Sequence, residues 1–197
     1  MRPPSRAFTS RPGDQRWRRP TAPLRISGSP LRHRPAYRGL VSDAFLDAMS
    51  LPRRVEAWQE ILAAGRSTTL VAEASGALAG FADYGPARDE DLDPSQDAEL
   101  NALYVQPQYW SHGFDYALWA EALSLLQPTH FVNCVLWVLE GNRRARAFCE
   151  RQRCMLDPSA RKLWRPKTEA LVEVRYSIRV ASDMMPRVPC STAVEET

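Results

Sequence analysis

Six residues, Trp110-Ser111-His112-Gly113-Phe114-Asp115, stand between a strand-like run and a helix-like one, a position where a chain can hold an anion. The first N–H groups of a helix have no partner inside it and the dipole is positive at that end, so a phosphate or carboxylate is attracted there. Gly113 lets the backbone approach such a ligand, and Ser111 and His112 carry donors. Taken alone, the turn is equally well a plain connection, because one glycine is common punctuation. Metal chemistry finds less support. Cys134, Cys149, Cys154 and Cys190 form neither a CxxC pair nor a Cys/His ligand spacing, and His33, His112 and His130 are scattered, so no metal site is expected. The cysteines sit in apolar or helical stretches, which points to reduced thiols and a cytoplasmic protein rather than a disulfide framework.

The elements around the turn follow from periodicity. Leu100 to Val105 reads as a strand ended by Pro107, and Phe114, Ala117, Leu118, Ala122 and Leu125 give one apolar face to a helix reaching about Leu126. Phe131 to Leu139 is a continuous apolar run suited to a buried strand. Gly141-Asn142 then precedes a basic helix with Ala145, Phe148 and Cys149 inward, and Leu171 to Val180 alternates as a final strand. Upstream, Tyr37 to Met49 and Val55 to Leu62 show helical spacing, while Thr68 to Ala74 and Ala77 to Tyr84 form a hairpin about Ser75-Gly76. Asp89 to Glu99 holds six carboxylates and a proline and is expected to be a solvated loop. The sum is an α/β domain: a mixed, mostly antiparallel sheet of about six strands, flanked by helices, with a strand-helix-strand crossover between Leu100 and Leu139.

Composition bounds the rest. The chain has 197 residues, 44% hydrophobic and 25% charged, enough for one domain, and no apolar run approaches the ~20 residues of a membrane span. Residues 1–40 carry ten Arg and one Asp, a charge of +9, so the remainder carries −6 of the total +3. Residues 1–35 also hold seven of the sixteen prolines, and they are expected to be a disordered basic arm. The domain then spans 36–180, with a flexible tail at 181–197. An Arg- and Ser-rich start also fits a targeting segment, but its prolines break the amphipathic helix such a segment needs. Trp17 aside, the arm has few aromatics among its arginines to form a nucleic-acid surface, so nucleic acid is not an expected partner.

Four segments in order, Ala36-Tyr37-Arg38-Gly39-Leu40, Phe81-Ala82-Asp83-Tyr84-Gly85, Glu99 through Pro107, and Leu136-Trp137-Val138-Leu139-Glu140-Gly141-Asn142 leading to Ala145-Arg146-Ala147-Phe148, resemble the GNAT acetyltransferase family. The resemblance implies acetyl-CoA as co-substrate, its pantetheine arm paired with the backbone of Leu103, Tyr104 and Val105. The family's turn, Gln/Arg-x-x-Gly-x-Gly/Ala, matches Trp110, Gly113 and Asp115, so Trp110, Ser111, His112, Gly113, Phe114 and Asp115 would wrap the pyrophosphate. Gly113 alone keeps the pattern, and Asp115 has the wrong charge. Asn142 would hydrogen-bond the cofactor arm, with Phe148 beside it. Cys149 stands where many members place the Tyr that protonates the CoA thiolate; it is equally a small hydrophobe filling a core gap. Glu99 matches the carboxylate that takes the amine's proton, unless it is merely the last of the acidic run. Arg153-Cys154 replaces the family's Gly-Phe, which puts the helix's usual C-cap in doubt, and residues 1–35 show no counterpart of the family's first strand: either it is missing or this segment comes from an altered start or reading frame. The implied activity is transfer of an acetyl group to a primary amine of a small molecule or peptide by direct attack, with no metal and with a homodimer allowed. The alternative is an impaired member that keeps the fold as a binding or interaction module.

Overall fold

The computed structural model describes residues 6–11, 14–18, 39–47, 50–164 and 170–180, the first two stretches as backbone alone. In chain order the elements are β1 (Arg6–Arg11), β2 (Asp14–Arg18), α1 (Asp43–Asp47), α2 (Leu51–Ala64), β3 (Thr68–Ala74), β4 (Ala77–Pro86), β5 (Asp97–Val105), α3 (Phe114–Leu126), β6 (Asn133–Leu139), α4 (Arg143–Arg151), β7 (Met155–Trp164) and β8 (Leu171–Arg179). The strands form one sheet in the order β2-β1-β3-β4-β5-β6-β8-β7. Neighbours are antiparallel except β1–β3 and β5–β6, which are parallel. The mixed α/β architecture is thus the expected one, with the strands β3 to β8 as its six-strand body.

The main core lies between the sheet and α3. Phe114, Leu118, Trp119, Ala122 and Leu126 recur at helical spacing and are buried, and α3 lies against β3, β4 and β5. Leu118 and Leu70 have essentially no exposed surface. Each such side chain contributes about 1.5–3 kcal/mol by leaving water. α4 joins this layer through Phe148, whose ring meets Trp119 edge-on at 6.1 Å. The opposite face carries α2, whose Trp58 stands edge-on to Phe81 at 4.9 Å. Among the described residues no helix is long and apolar enough to cross a membrane.

The structure departs from the sequence reading at four places. Residues 1–35 are not structureless throughout: Arg6–Arg11 and Asp14–Arg18 pair as strands on the outer edge of β3, so a strand occupies the side where the first one was expected to be missing. An open sheet edge offers unpaired backbone groups to any extended chain nearby, and these two stretches are free of proline. His33, Cys190 and the tail 181–197 lie outside the described residues.

The acidic run is the second revision. β5 begins at Asp97, and Asp97 and Glu99 are buried. The side chain of Asp89 is buried as well, at 5% exposure. Its carboxylate accepts from Trp137 Nε1 at 2.8 Å and from Lys162 Nζ, and pairs with Arg175 Nη1 at 3.3 Å. Arg175, also buried, reaches Asp91 at 2.6 Å and Asp157 at 2.8 Å as well. Buried carboxylates require such partners, and the network ties the loop to β6, β7 and β8.

Third, β7 completes the far edge although Pro158 interrupts its pattern; the register shifts between Asp157 and Arg161, and the bulge accommodates the proline. Fourth, α4 is capped without glycine. Arg153 adopts φ 61, the Cys154 N–H reaches the Cys149 carbonyl at 2.9 Å and the Arg153 N–H the Glu150 carbonyl at 3.0 Å. These two bonds are the Schellman closure.

Candidate active site

The sheet opens in its middle. β5 pairs with β4 along its whole length, to Val105 opposite Gly80, but with β6 only at Asp97–Glu99 against Asn133–Val135. β6 in turn follows β8 throughout. Beyond Glu99 the two parallel strands therefore part. Gly80 helps to draw β5 towards β4: a Cβ there would lie 2.5 Å from the Tyr104 carbonyl oxygen, so any larger residue would push the strands apart. The Gln106 N–H is bonded back to Ala79 on β4, and by strand alternation Leu103 and Val105 turn their backbone groups to the open side. These are two of the residues expected to meet a pantetheine arm; Tyr104 places its ring on the other face, against Phe81 at 5.9 Å.

Past the strand, the turn runs to the N-terminus of α3. Gly113 is its N-cap at φ 80 with no side-chain cap, Ser111 is at φ 63, and a Cβ on Gly113 would meet nothing within 4 Å. Trp110 folds back, its indole N–H donating to the Val105 carbonyl at 2.8 Å. His112 and Ser111 are exposed, and His112 Nδ1 lies 2.8 Å from the Trp110 carbonyl. If Nδ1 carries the proton of the neutral ring, Nε2 is an acceptor, and only the imidazolium donates from it. Asp115 sits in the first turn of α3, where its Oδ1 accepts from the Tyr116 N–H at 3.0 Å. The Phe114 ring is turned inward against Tyr109 at 5.5 Å. The turn's neighbour on α4 is a residue that sequence reading did not single out: the Arg144 guanidinium lies over the Trp110 ring, 3.7 Å from its centroid. Partial desolvation lowers the pKa of the exposed Arg144, while the charge of Asp115 acts in the other direction.

Asn142 caps α4, its Oδ1 accepting from the Ala145 N–H at 3.1 Å. That leaves the amide Nδ2 as the donor for a ligand. Phe148 and Cys149, one turn on, are buried in the core. The neighbouring Cys154 thiol lowers the pKa of Cys149 despite burial, and Cys149 together with burial raises that of Cys154. Burial, with the charge of Glu99 in support, pushes the nearby Cys134 thiol up to about 12. These surroundings support the packing reading of Cys149: it forms the inner contact of the Schellman cap, and its thiol is closed off from the opening.

On the opposite face of β5, Glu99 is buried where the strands part. Arg88 Nε donates to Oε2 at 3.0 Å and Nη2 to Oε1 at 2.7 Å. The hydrogen bond to Glu99 raises the Arg88 pKa. The Arg88 side chain is itself 69% exposed, so the pair links a buried carboxylate to solvent. A carboxylate has about four lone-pair directions, and Arg88 engages two. Further along the same face, the buried Asp83 accepts from Ser67, Thr69 and Asn101 at 2.8–2.9 Å. Asn101 is the extra residue of a β5 bulge, and its Oδ1 is buried without a partner. Arg88, Asp83 and Asn101 also escaped the sequence reading as site residues, since only the pairing of β4 with β5 sets Arg88 against Glu99 and Asp83 against Asn101.

The sequence profile of the Acetyltransferase (GNAT) family matches residues 34–153, the segment that holds both parting strands, the turn and α4. The chain belongs to the GNAT acetyltransferase family. No curated protein sequence matches it. Among solved structures, it is similar to the ribosomal-protein-alanine N-acetyltransferase of Brucella melitensis (TM-score 0.57, 19% identity, covering 77% of this chain and 96% of that one). It is also similar to an N-acetyltransferase of Staphylococcus aureus Mu50 (0.57, 15%, 78% and 95%). A third is the PaiA N-acetyltransferase of Thermoplasma acidophilum, solved with coenzyme A (0.53, 17%, 76% and 87%). At these identities the likeness establishes the GNAT fold.

Proposed function

We propose that this GNAT chain transfers the acetyl group of acetyl-CoA to a primary amine of a small molecule or peptide by direct attack. The observation that carries the reading is the parting of β5 and β6 beyond Glu99 and Val135, with the uncapped N-terminus of α3 just past its end. The residues present fit the co-substrate. Leu103 and Val105 offer backbone groups to the pantetheine arm, Asn142 Nδ2 offers a further donor, and the open face of Gly113 gives a phosphate room to approach.

In this reaction the amine nitrogen forms a bond to the thioester carbonyl carbon, the C–S bond breaks, and the CoA thiolate leaves and takes up a proton. Glu99 receives the amine's proton on a lone pair that Arg88 does not engage, directly or through water. Holding both reactants in one cleft supplies much of the acceleration by proximity. A specific observation favours a second reading, a GNAT-fold binding module with little turnover: the Cys149 thiol is enclosed in the core, and Asp115 sets a negative charge at the phosphate turn. Calorimetric titration with acetyl-CoA, followed by CoA-thiol release in the presence of a panel of primary amines, tests the proposal. Binding with amine-dependent thiol release is the expected result. Binding without release from any amine selects the module, and absence of binding overturns both readings.

A further inference from the structure

We infer that Arg144, held over the Trp110 ring, supplies the positive charge that binds the diphosphate of CoA in this chain; the inference rests on the acetyl-CoA reading above. The turn itself is poor in cationic donors. Trp110 gives its one N–H to the Val105 carbonyl, His112 Nδ1 is engaged with the Trp110 carbonyl, and Asp115 adds a negative charge to the first turn of α3. Arg144 approaches from α4 and stacks on the indole at 3.7 Å. Stacking uses the face of the guanidinium and leaves its in-plane N–H groups for hydrogen bonding, the geometry in which arginine grips phosphate oxygens two at a time.

The same placement bears on Asp115. Asp115 acts on Arg144 electrostatically, so the two charges partly cancel at the mouth of the turn and a diphosphate does not meet the carboxylate alone. Trp110 thereby acquires a role as a platform: it fixes the end of a long side chain that would otherwise lose rotamer freedom on binding. Arg144 is a binding residue and Trp110 a positioning one.

The test uses the full chain and measures dissociation constants by calorimetry for CoA, 3′-dephospho-CoA and pantetheine, which lacks both phosphate groups. Arg144→Met should weaken CoA and 3′-dephospho-CoA alike, by about ten- to a hundred-fold, as expected for a lost charge-assisted contact. It should leave pantetheine unchanged and, since Arg144 is exposed, leave the melting temperature within about a degree or two. Trp110→Leu should reproduce part of the loss, and adding it to Arg144→Met should cost little more, because the platform has no use without its cation. Affinity for CoA equal to the wild type in Arg144→Met overturns the inference. So does an equal loss for pantetheine, which makes Arg144 a packing residue, and so does a loss confined to CoA, which assigns it to the 3′-phosphate. A wild type that binds no CoA removes the acetyl-CoA reading and this one together, whereas failure of the Arg144 arm alone leaves that reading standing.

Discussion

Arg153→Gly should stabilise the protein. Arg153 is the residue after the end of α4, held at φ 61 so that the Arg153 and Cys154 N–H groups can return to the Glu150 and Cys149 carbonyls. In this left-handed region an L residue sets its Cβ against the neighbouring carbonyl oxygen at a cost of about 1–2 kcal/mol, which glycine does not incur. Against this, glycine gains freedom in the unfolded chain worth about 0.5–1 kcal/mol. The net is about 0.5–1 kcal/mol in favour of the variant, since the Arg153 side chain is exposed and takes little packing with it. For a domain of this size that is a rise of about 1–4 °C in melting temperature. Differential scanning calorimetry on wild type, Arg153→Gly and Arg153→Ala is the measurement, with alanine as control because it keeps the Cβ. A melting temperature for Arg153→Gly at or below that of the alanine variant would show that the Cβ carries no strain at this cap.

Three further outcomes are expected. Asp115→Asn keeps the side chain's shape and removes its charge: like charges ~5 Å apart repel by roughly 3 kcal/mol at an effective dielectric of ~20, and screening by solvent and Arg144 cuts this to about 1, so acetyl-CoA should bind several-fold more tightly at low salt. An equal constant for both proteins at low salt refutes the repulsion. Glu99→Gln should lower kcat/KM by at least about a hundred-fold, most at the lower end of the pH profile where the amine arrives protonated, while an unchanged profile removes Glu99 from the mechanism. Acid should loosen the β7–β8 edge. Bonds from Ser159 and then Arg175 hold Asp157 at about 2, Arg175 holds Asp91 below the usual carboxylate range, and donors from Lys162, Trp137 and Arg175 outweigh the upward push of burial on Asp89. Folded values depressed in this way contribute stability that is present above the unfolded value of about 3.9 and is lost as pH falls towards 2. Melting temperature should fall across that window, and fall less steeply in Arg175→Met, which starts from a lower plateau at pH 7; parallel curves for the two proteins refute the assignment.

What was legible in the chain is what periodicity alone determines. The hairpin about Ser75-Gly76, α3 from Phe114 to Leu126, and the buried strand before Gly141 all lie where apolar spacing puts them, because each contributes one continuous face to one core. The failures share a cause. The strands at the two ends of the sheet, Arg6–Arg11 with Asp14–Arg18 and Met155–Trp164, have no such face: their pairing is backbone to backbone, and Met155 and Leu163 of β7 stay more than half exposed. The acidic run misled in the opposite way. Six carboxylates in sequence look solvated until the cations that face them are known, and those of Asp89 and Asp91 stand some 70 or more positions later, at Lys162 and Arg175.

The candidate site divides along the same line. Groups fixed by their place at the start or end of an element were readable: Gly113 at a helix start, Asn142 at the next, and the parting strand Leu103 to Val105. Groups whose role depends on a neighbour across the fold were not. Glu99 could be named as a base, but not that Arg88 would hold both of its oxygens. Cys149 could be placed opposite the leaving thiolate, but not that Cys154, five residues on, would turn it into the inner half of a helix cap. Trp110 read as a lost cation at the phosphate turn, and at the level of sequence it is one. In the fold the charge has moved to the adjacent helix: an indole cannot bind a phosphate oxygen with a positive charge, but it can hold in place a guanidinium that does. A departure at one position of a binding turn is therefore informative only when the side chains packed on that position are known, since an anion responds to the field at its own location, whichever element supplies it.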